Sequence, residues 1–175
     1  FETKFKRYKF KKTSWFPCYG LAEATVFVTG ASGKRSPSII SVNKSELQVN
    51  RVVLEDKSED TQEIVSCGFS GVDHDVLIVD QDQNICKEGR VAEIWIQGKS
   101  VAGGYWNKKE ISRRVFCAKP NGIKRGAYLK TGDLGFIYNR ELYVTGRAKD
   151  LMIIRGCNFY PQDIELTVSQ AHPGF

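Results

Sequence analysis

From residue 63 onward the apolar residues of this chain come in short bursts, and a chain patterned that way buries them by pairing strands. The bursts are Glu63 to Ser66, Asp75 to Asp80, Ala92 to Gln97, Tyr128 to Thr131, Phe136 to Tyr138, Glu141 to Thr145 and Leu151 to Ile154. Breaks such as DQDQN, KEGR and YNRE supply the Gly, Asn and Asp that turns use. Spacings of roughly 8 to 15 residues between bursts predict a small barrel or a sandwich-like β unit. Two later segments read as helices. Asn107 to Phe116 follows an Asn able to cap it, and Pro161 to Ala171 opens on Pro with acids at Asp163 and Glu165, as first helical turns prefer.

Upstream, Trp15 to Cys18 and Val26 to Thr29 are strand-like and leave YGLAEAT in a loop between them, where ligand-contacting groups are commonly placed. A Gly/Ser/Lys-rich break, GASGKRSP, runs from Gly30 to Pro37. The polar stretch Asn43 to Thr61, interrupted by Arg51 to Leu54, then reads as an insertion or excursion. Phe1, Phe5 and Tyr8 fall at helical spacing, which predicts a surface helix with one buried aromatic stripe and a solvated basic face.

The 175 residues are 41% hydrophobic and 26% charged, as in a globular domain or a domain and a fraction. Apolar runs such as Val76 to Val79 are strand-sized, far short of the ~20 residues of a membrane span, so none is expected. The chain opens on Phe1 with no apolar stretch behind its basic residues, and it ends on HPGF, a turn that normally leads into another strand. Both ends read as cuts. Cys18, Cys67, Cys86, Cys117 and Cys157 form no CxxC pair and are odd in number, which predicts reduced thiols in a cytoplasmic protein. His74 and His172 lie far apart and read as surface or turn histidines. The net charge of +6 is fed by KFKRYKFKK, Lys4 to Lys12, which could suit nucleic acid. The surface helix accounts for it better, and no nucleic-acid partner is expected. A basic β-barrel binding module is the alternative of a different class.

Four ordered segments carry a sharper signal: YGLAE at 19–23, AEIW at 92–95 leading to SVAGGYW at 100–106, KTGDLG at 130–135, and GRAKDL at 146–151, followed by IIRGCNFYPQDIE at 153–165. Together they resemble the adenylate-forming superfamily of acyl-CoA synthetases, luciferase-like enzymes and peptide-synthetase adenylation domains. That superfamily usually has Thr where Ala22 stands. YGLAEAT and the YPQD of Tyr160 to Asp163 resemble its fatty acyl-AMP ligase branch, with an acyl-CoA synthetase as the alternative.

The resemblance implies an α+β fold. Residues 1–148 would belong to the mainly β, distorted-barrel subdomain of a large AMP-binding domain, with about 30–61 inserted. Residues 149–175 would be a hinge at Lys149 and the first strand and helix of a small C-terminal lid domain. It also implies an ATP or acyl-adenylate site. Tyr19 and Gly20 would face the base, with Leu21 and Ala22 in the same segment, and Glu23 would be a hard oxygen ligand for Mg. Asp133, in a Gly-flanked turn between strands, would accept from the ribose hydroxyls, and Arg147 would reach ribose and phosphate. The bland alternatives are a turn with a surface Glu, an Asp capping its own backbone, a surface Arg in a β-turn, and a tolerated surface insertion.

The implied reaction joins a fatty acid to MgATP as acyl-AMP. The acyl group then passes to an acyl carrier protein or a polyketide synthase carrier domain. The superfamily's phosphate loop is expected upstream of Phe1 and its lid lysine beyond Phe175, so no complete catalytic set is expected in this piece, which alone should be inactive.

Overall fold

The computed structural model describes residues 1–171 apart from Ser32, Lys34 and Arg125. His172 and the expected HPGF turn, and Ser32 and Lys34 of the GASGKRSP break, lie outside the described residues. In chain order the elements are α1 (Glu2–Phe5), β1 (Cys18–Tyr19), β2 (Thr29–Gly30), β3 (Ile39–Asn43), α2 (Lys44–Gln48), β4 (Thr61–Val65), β5 (Phe69–Ser70) and β6 (His74–Val79). There follow β7 (Ala92–Gly98), α3 (Lys109–Phe116), β8 (Leu129–Tyr138), β9 (Glu141–Arg147), β10 (Met152–Ile154), β11 (Cys157–Phe159) and α4 (Pro161–Ala171).

The chain is α+β, as expected. A four-stranded sheet ordered β6-β7-β8-β9 forms its centre, beside a three-stranded sheet β1-β2-β5 and the pairs β3-β4 and β10-β11. Among the described residues these sheets stay separate and close no barrel. Every named pairing is antiparallel, so period-2 alternation decides which side chains go inward. One core joins Val76, Ile78, Ile94, Ile96, Leu129 and Leu142 to Tyr19, Ala24 and Val28, which seats the YGLAEAT loop on the central sheet. A second gathers Val42, Leu47 and Ile64 against Val91, Phe136 and Tyr143. Among the described residues no helix is long and apolar enough to cross a membrane.

Several expectations are corrected. The N-terminal helix stops at Phe5 and continues as a 3₁₀ turn, Lys6–Tyr8, which ends where Lys9 turns left-handed at φ 61°. A helix of one turn is not stable by itself. The aromatic stripe is not buried, since Phe1 is 66% and Tyr8 65% exposed. Phe1 instead packs locally on Phe5, Phe10 and Trp15, with ring centroids 4.4, 5.2 and 5.1 Å away.

The two strands around YGLAEAT shift toward its C-terminal side: Tyr19 pairs with Thr29 and Cys18 with Gly30. Thr25 and Val26 have φ of 56° and 75°, which keeps Val26 out of a strand. Asn107 does not cap α3; it sits at φ 53°, and no side chain caps that helix. The polar stretch 43–61 is no loose excursion. Asn43 Oδ1 accepts from Glu46 N at 3.0 Å and starts α2, whose Leu47 is buried in the second core.

Candidate functional site

The TGDLG segment lies within β8 rather than in a turn between two strands. That strand runs unbroken from Leu129 to Tyr138 and absorbs the glycines by a register shift between Leu134 and Gly135. Ladder pairing then sets Asp133 opposite Arg147, the last residue of β9. Asp133 Oδ1 accepts from Arg147 Nε at 2.9 Å, and Oδ2 accepts from the Tyr19 hydroxyl at 2.7 Å. The Asp133 amide donates to Thr131 Oγ1 at 3.0 Å.

Asp133 is only 6% exposed, whereas the Arg147 side chain is 55% exposed. Burial pushes the Tyr19 hydroxyl far above its ordinary range, so it stays protonated and donates. Each carboxylate oxygen keeps acceptor capacity beyond its one protein donor. The cluster can therefore take a further pair of hydroxyl donors, and the fork of Arg147 beyond Nε faces no other hydrogen-bond partner among the described residues.

Glu23 is carried by a tightly closed loop. Val26 N and Ala24 N both donate to Leu21 O at 3.0 Å, and Thr25 N donates to Ala22 O at 3.1 Å. Gly20 permits the closure: a Cβ there would stand 1.4 Å from Val26 O. The turn after β7 clamps this loop. Ala102 N donates to Glu23 O at 2.8 Å, Thr25 Oγ1 donates to Ser100 O at 2.8 Å, and Ser100 Oγ donates to Ala24 O at 2.9 Å.

His74, at the start of β6, lies 2.6 Å from Ser100 Oγ through Nε2. It is thus half-buried and part of this clamp, not a surface or turn histidine. The single hydroxyl proton of Ser100 goes to Ala24, so His74 Nε2 is the donor, and the pair is not a base with its nucleophile.

The Tyr105 hydroxyl donates to Glu23 Oε1 at 2.7 Å, and that hydrogen bond is the main cause raising the Tyr105 hydroxyl above its ordinary range. Among the described residues no Lys or Arg pairs with Glu23, and no three His, Cys, Asp or Glu gather as a metal cage. A lone, un-neutralised carboxylate does not fit Zn, which wants three or four protein ligands. It fits Mg, which is commonly held by one or two carboxylates together with substrate phosphates and water.

Of the residues expected at the site, Tyr19, Asp133 and Arg147 form one hydrogen-bonded cluster. Gly20, Leu21, Ala22 and Glu23 follow Tyr19 in the clamped loop, with Leu21 packed on the core and Ala22 exposed. Lys149 lies exposed in the turn between β9 and β10, just after Ala148 N bonds Gly132 O at 2.9 Å. Beyond it, Asn158 Nδ2 donates to Asn50 Oδ1 and Gln62 Nε2 to Asp163 Oδ1, both at 3.0 Å, so β11 and α4 rest on the 39–65 unit. Burial raises the Asp163 carboxyl above its ordinary value. Tyr105, Ser100 and His74 had no expected role. SVAGGYW is visible as a motif, but nothing local in it says that its hydroxyls reach back to Glu23.

This chain belongs to the AMP-binding enzyme family, whose model matches residues 3–106. It is 39% identical over 177 residues to a medium-chain-fatty-acid–[acyl-carrier-protein] ligase, JamA, of Moorena producens, covering 99% of this chain and 30% of the relative. It is 41% identical over 180 residues to a 4-hydroxyphenylalkanoate adenylyltransferase of Mycobacterium marinum, with 99% and 29% covered. A crystal structure of the fatty acyl-adenylate ligase of Legionella pneumophila with acyl adenylate and pyrophosphate superposes with a TM-score of 0.80 at 44% identity, covering 96% of this chain and 29% of that one. The chain thus spans about a third or less of the length of the relatives it matches.

Proposed function

We propose that the protein containing this chain is a fatty acyl-AMP ligase. A fatty-acid carboxylate oxygen attacks the α-phosphorus of ATP, the bond to the β-phosphate oxygen breaks, and acyl-AMP and pyrophosphate result. A carrier-protein phosphopantetheine thiol then attacks the acyl carbon and AMP leaves. The acceptor would be an acyl carrier protein or a polyketide synthase carrier domain, and the setting cytoplasmic, in keeping with five unpaired thiols.

The observation that carries the adenylate reading is the buried Asp133 carboxylate, with one oxygen bonded by Tyr19 and the other by Arg147 and acceptor capacity left on each for a vicinal diol such as ribose. Arg147 would add a fixed positive charge toward the phosphate. Mg would neutralise phosphate charge when bound, with Glu23 as its protein ligand. The fatty acid and the carrier are inferred from what the relatives are named for.

In the same reading 1–148 belongs to the large domain, Lys149 is its hinge, and 149–175 begins the lid. Residues of about 30–61 form an inserted unit, and the lid start meets Asn50 within it and Gln62 at its end, contacts suited to restraining lid rotation. The test is pyrophosphate release by the full-length protein with a panel of fatty acids, followed by product analysis with free CoA or phosphopantetheinylated carrier. Acyl-AMP that persists with CoA and discharges onto carrier supports the proposal. Efficient acyl-CoA synthesis would assign it to the CoA ligases, and no fatty-acid-dependent pyrophosphate would overturn it.

A further inference from the structure

The side chain that meets Glu23 comes from 82 residues further along the chain. Tyr105 is itself held on three sides. Its backbone N donates to Ser112 Oγ at 2.8 Å, and that hydroxyl contacts Tyr105 O at 3.3 Å, so the first turn of α3 fixes its main chain. Its ring meets Phe116, at the end of α3, edge-on with centroids 5.0 Å apart. The phenol is therefore aimed by a helix, not by a free loop. Meanwhile the Glu23 backbone is fixed independently through Ala102, which sits three residues before Tyr105 on the same turn. Main chain and carboxylate of Glu23 are held by one segment.

The donor type matters as much as the geometry. A lysine or arginine in this place would also orient the carboxylate, but it would cancel the charge that attracts a cation. A phenol orients and leaves the charge in place. It occupies Oε1, and among the described residues no donor reaches Oε2. We infer that Tyr105 is a positioning residue for Glu23, holding Oε1 so that Oε2 is presented to a divalent cation bound with the nucleotide phosphates. This rests on the proposed role of Glu23. Partners that hydrogen-bond a metal-ligating carboxylate commonly change metal affinity by roughly 10- to 100-fold when removed.

The test uses the full-length protein and Mn²⁺ as a spectroscopic probe. Mn²⁺ affinity is measured by electron paramagnetic resonance in the presence of a non-hydrolysable ATP analogue, for wild type, Tyr105→Phe, Glu23→Gln and the double variant. Phe keeps the ring contact with Phe116 and removes the hydroxyl alone. The expected result is a ~10- to 100-fold weaker Mn²⁺ affinity in Tyr105→Phe, no larger loss in the double variant than in Glu23→Gln, and unchanged affinity for the analogue without metal. In turnover the same variant should raise the Mg²⁺ concentration for half-maximal rate while kcat at saturating Mg²⁺ is largely kept, a split that a mere packing role would not produce. Ser112→Ala, which frees the Tyr105 backbone, should act in the same direction and more weakly; it serves also if Tyr105→Phe does not fold. Unchanged Mn²⁺ affinity in Tyr105→Phe, with a loss in Glu23→Gln, overturns the positioning role alone. Unchanged affinity in Glu23→Gln overturns the metal role of Glu23 and the inference with it.

Discussion

Tyr19→Phe separates the energetics of the Asp133 cluster from its charge. The substitution keeps a ring packed among Ala24, Val28 and Leu142 and deletes one oxygen. That oxygen donates at 2.7 Å to a carboxylate that is 6% exposed, so its loss leaves a largely buried charged acceptor short of one donor. Hydrogen bonds to charged groups in such settings contribute about 1.5–3 kcal/mol. Arg147 makes the formal ion pair with the same carboxylate, yet its side chain is 55% exposed. Solvent screening reduces a pair of that kind to about 0.2–1 kcal/mol.

The expected ordering is therefore that the neutral phenol matters more for stability than the charged arginine. In urea unfolding with a slope of about 2 kcal/mol per M, Tyr19→Phe should lower the midpoint by roughly 1 M, and Arg147→Ala by less than about 0.5 M. Nucleotide affinity should show the reverse ordering, because Arg147 offers further donors to a ligand and Tyr19 offers none. A Tyr19→Phe midpoint within about 0.25 M of wild type, or an Arg147→Ala loss exceeding it, would refute the burial argument.

Three further outcomes are expected. Gly20→Ala drives a Cβ to 1.4 Å from Val26 O. It should cost about 3 kcal/mol or more in the same unfolding assay, because backbone and not a movable side chain stands in the way; a loss below about 1 kcal/mol would mean the loop can open without harm. Ser100→Ala removes the bonds to Ala24 O and His74, and about 1–2 kcal/mol of local stability with them. Faster hydrogen exchange at the Ala102 amide checks the loss, and nitrogen chemical shifts of wild-type His74 should show the proton on Nε2. For Asp163, burial raises the folded-state carboxyl above its unfolded value. Its stabilising contribution is thus complete below the unfolded value and is lost as pH rises through the folded one. Asp163→Asn keeps an acceptor for Gln62 without the charge, so it should increase exchange protection of α4 at pH 7 and flatten its pH dependence; equal or lower protection would refute this.

The strands and the meeting of Asp133 with Arg147 were legible because their signals are local. TGDLG and GRAKD each announce an Asp or Arg beside glycine, and one antiparallel ladder suffices to bring Asp133 and Arg147 together. Where β8 continues through Gly132 and Gly135, the glycines looked like turn punctuation. Gly132, at φ 74°, and a register shift between Leu134 and Gly135 are both accommodated inside the strand. α2 was overlooked because its one apolar residue, Leu47, among four polar ones shows no apolar period, although Asn43 followed three positions later by Glu46 is a start signal. The aromatic spacing of Phe1, Phe5 and Tyr8 misled for the opposite reason: periodicity says which residues share a face, not whether anything lies against it. Tyr105 with Glu23, and His74 with Ser100, join distant stretches and leave no mark in either one. Only the folded sheet carries that information.

The Ala148 amide that bonds Gly132 O has a mechanical consequence. It is the final rung that ties β9 to β8, one residue past Arg147 and one before Lys149. Any rotation of the later chain that began upstream of that rung would have to strip Arg147 away from Asp133. A pivot at Lys149, as proposed, is the earliest point in the chain at which the following residues can swing while the Asp133 carboxylate keeps both of its partners. In the proposed reading the rung acts as a stop, insulating the ribose end of the site from whatever the lid does.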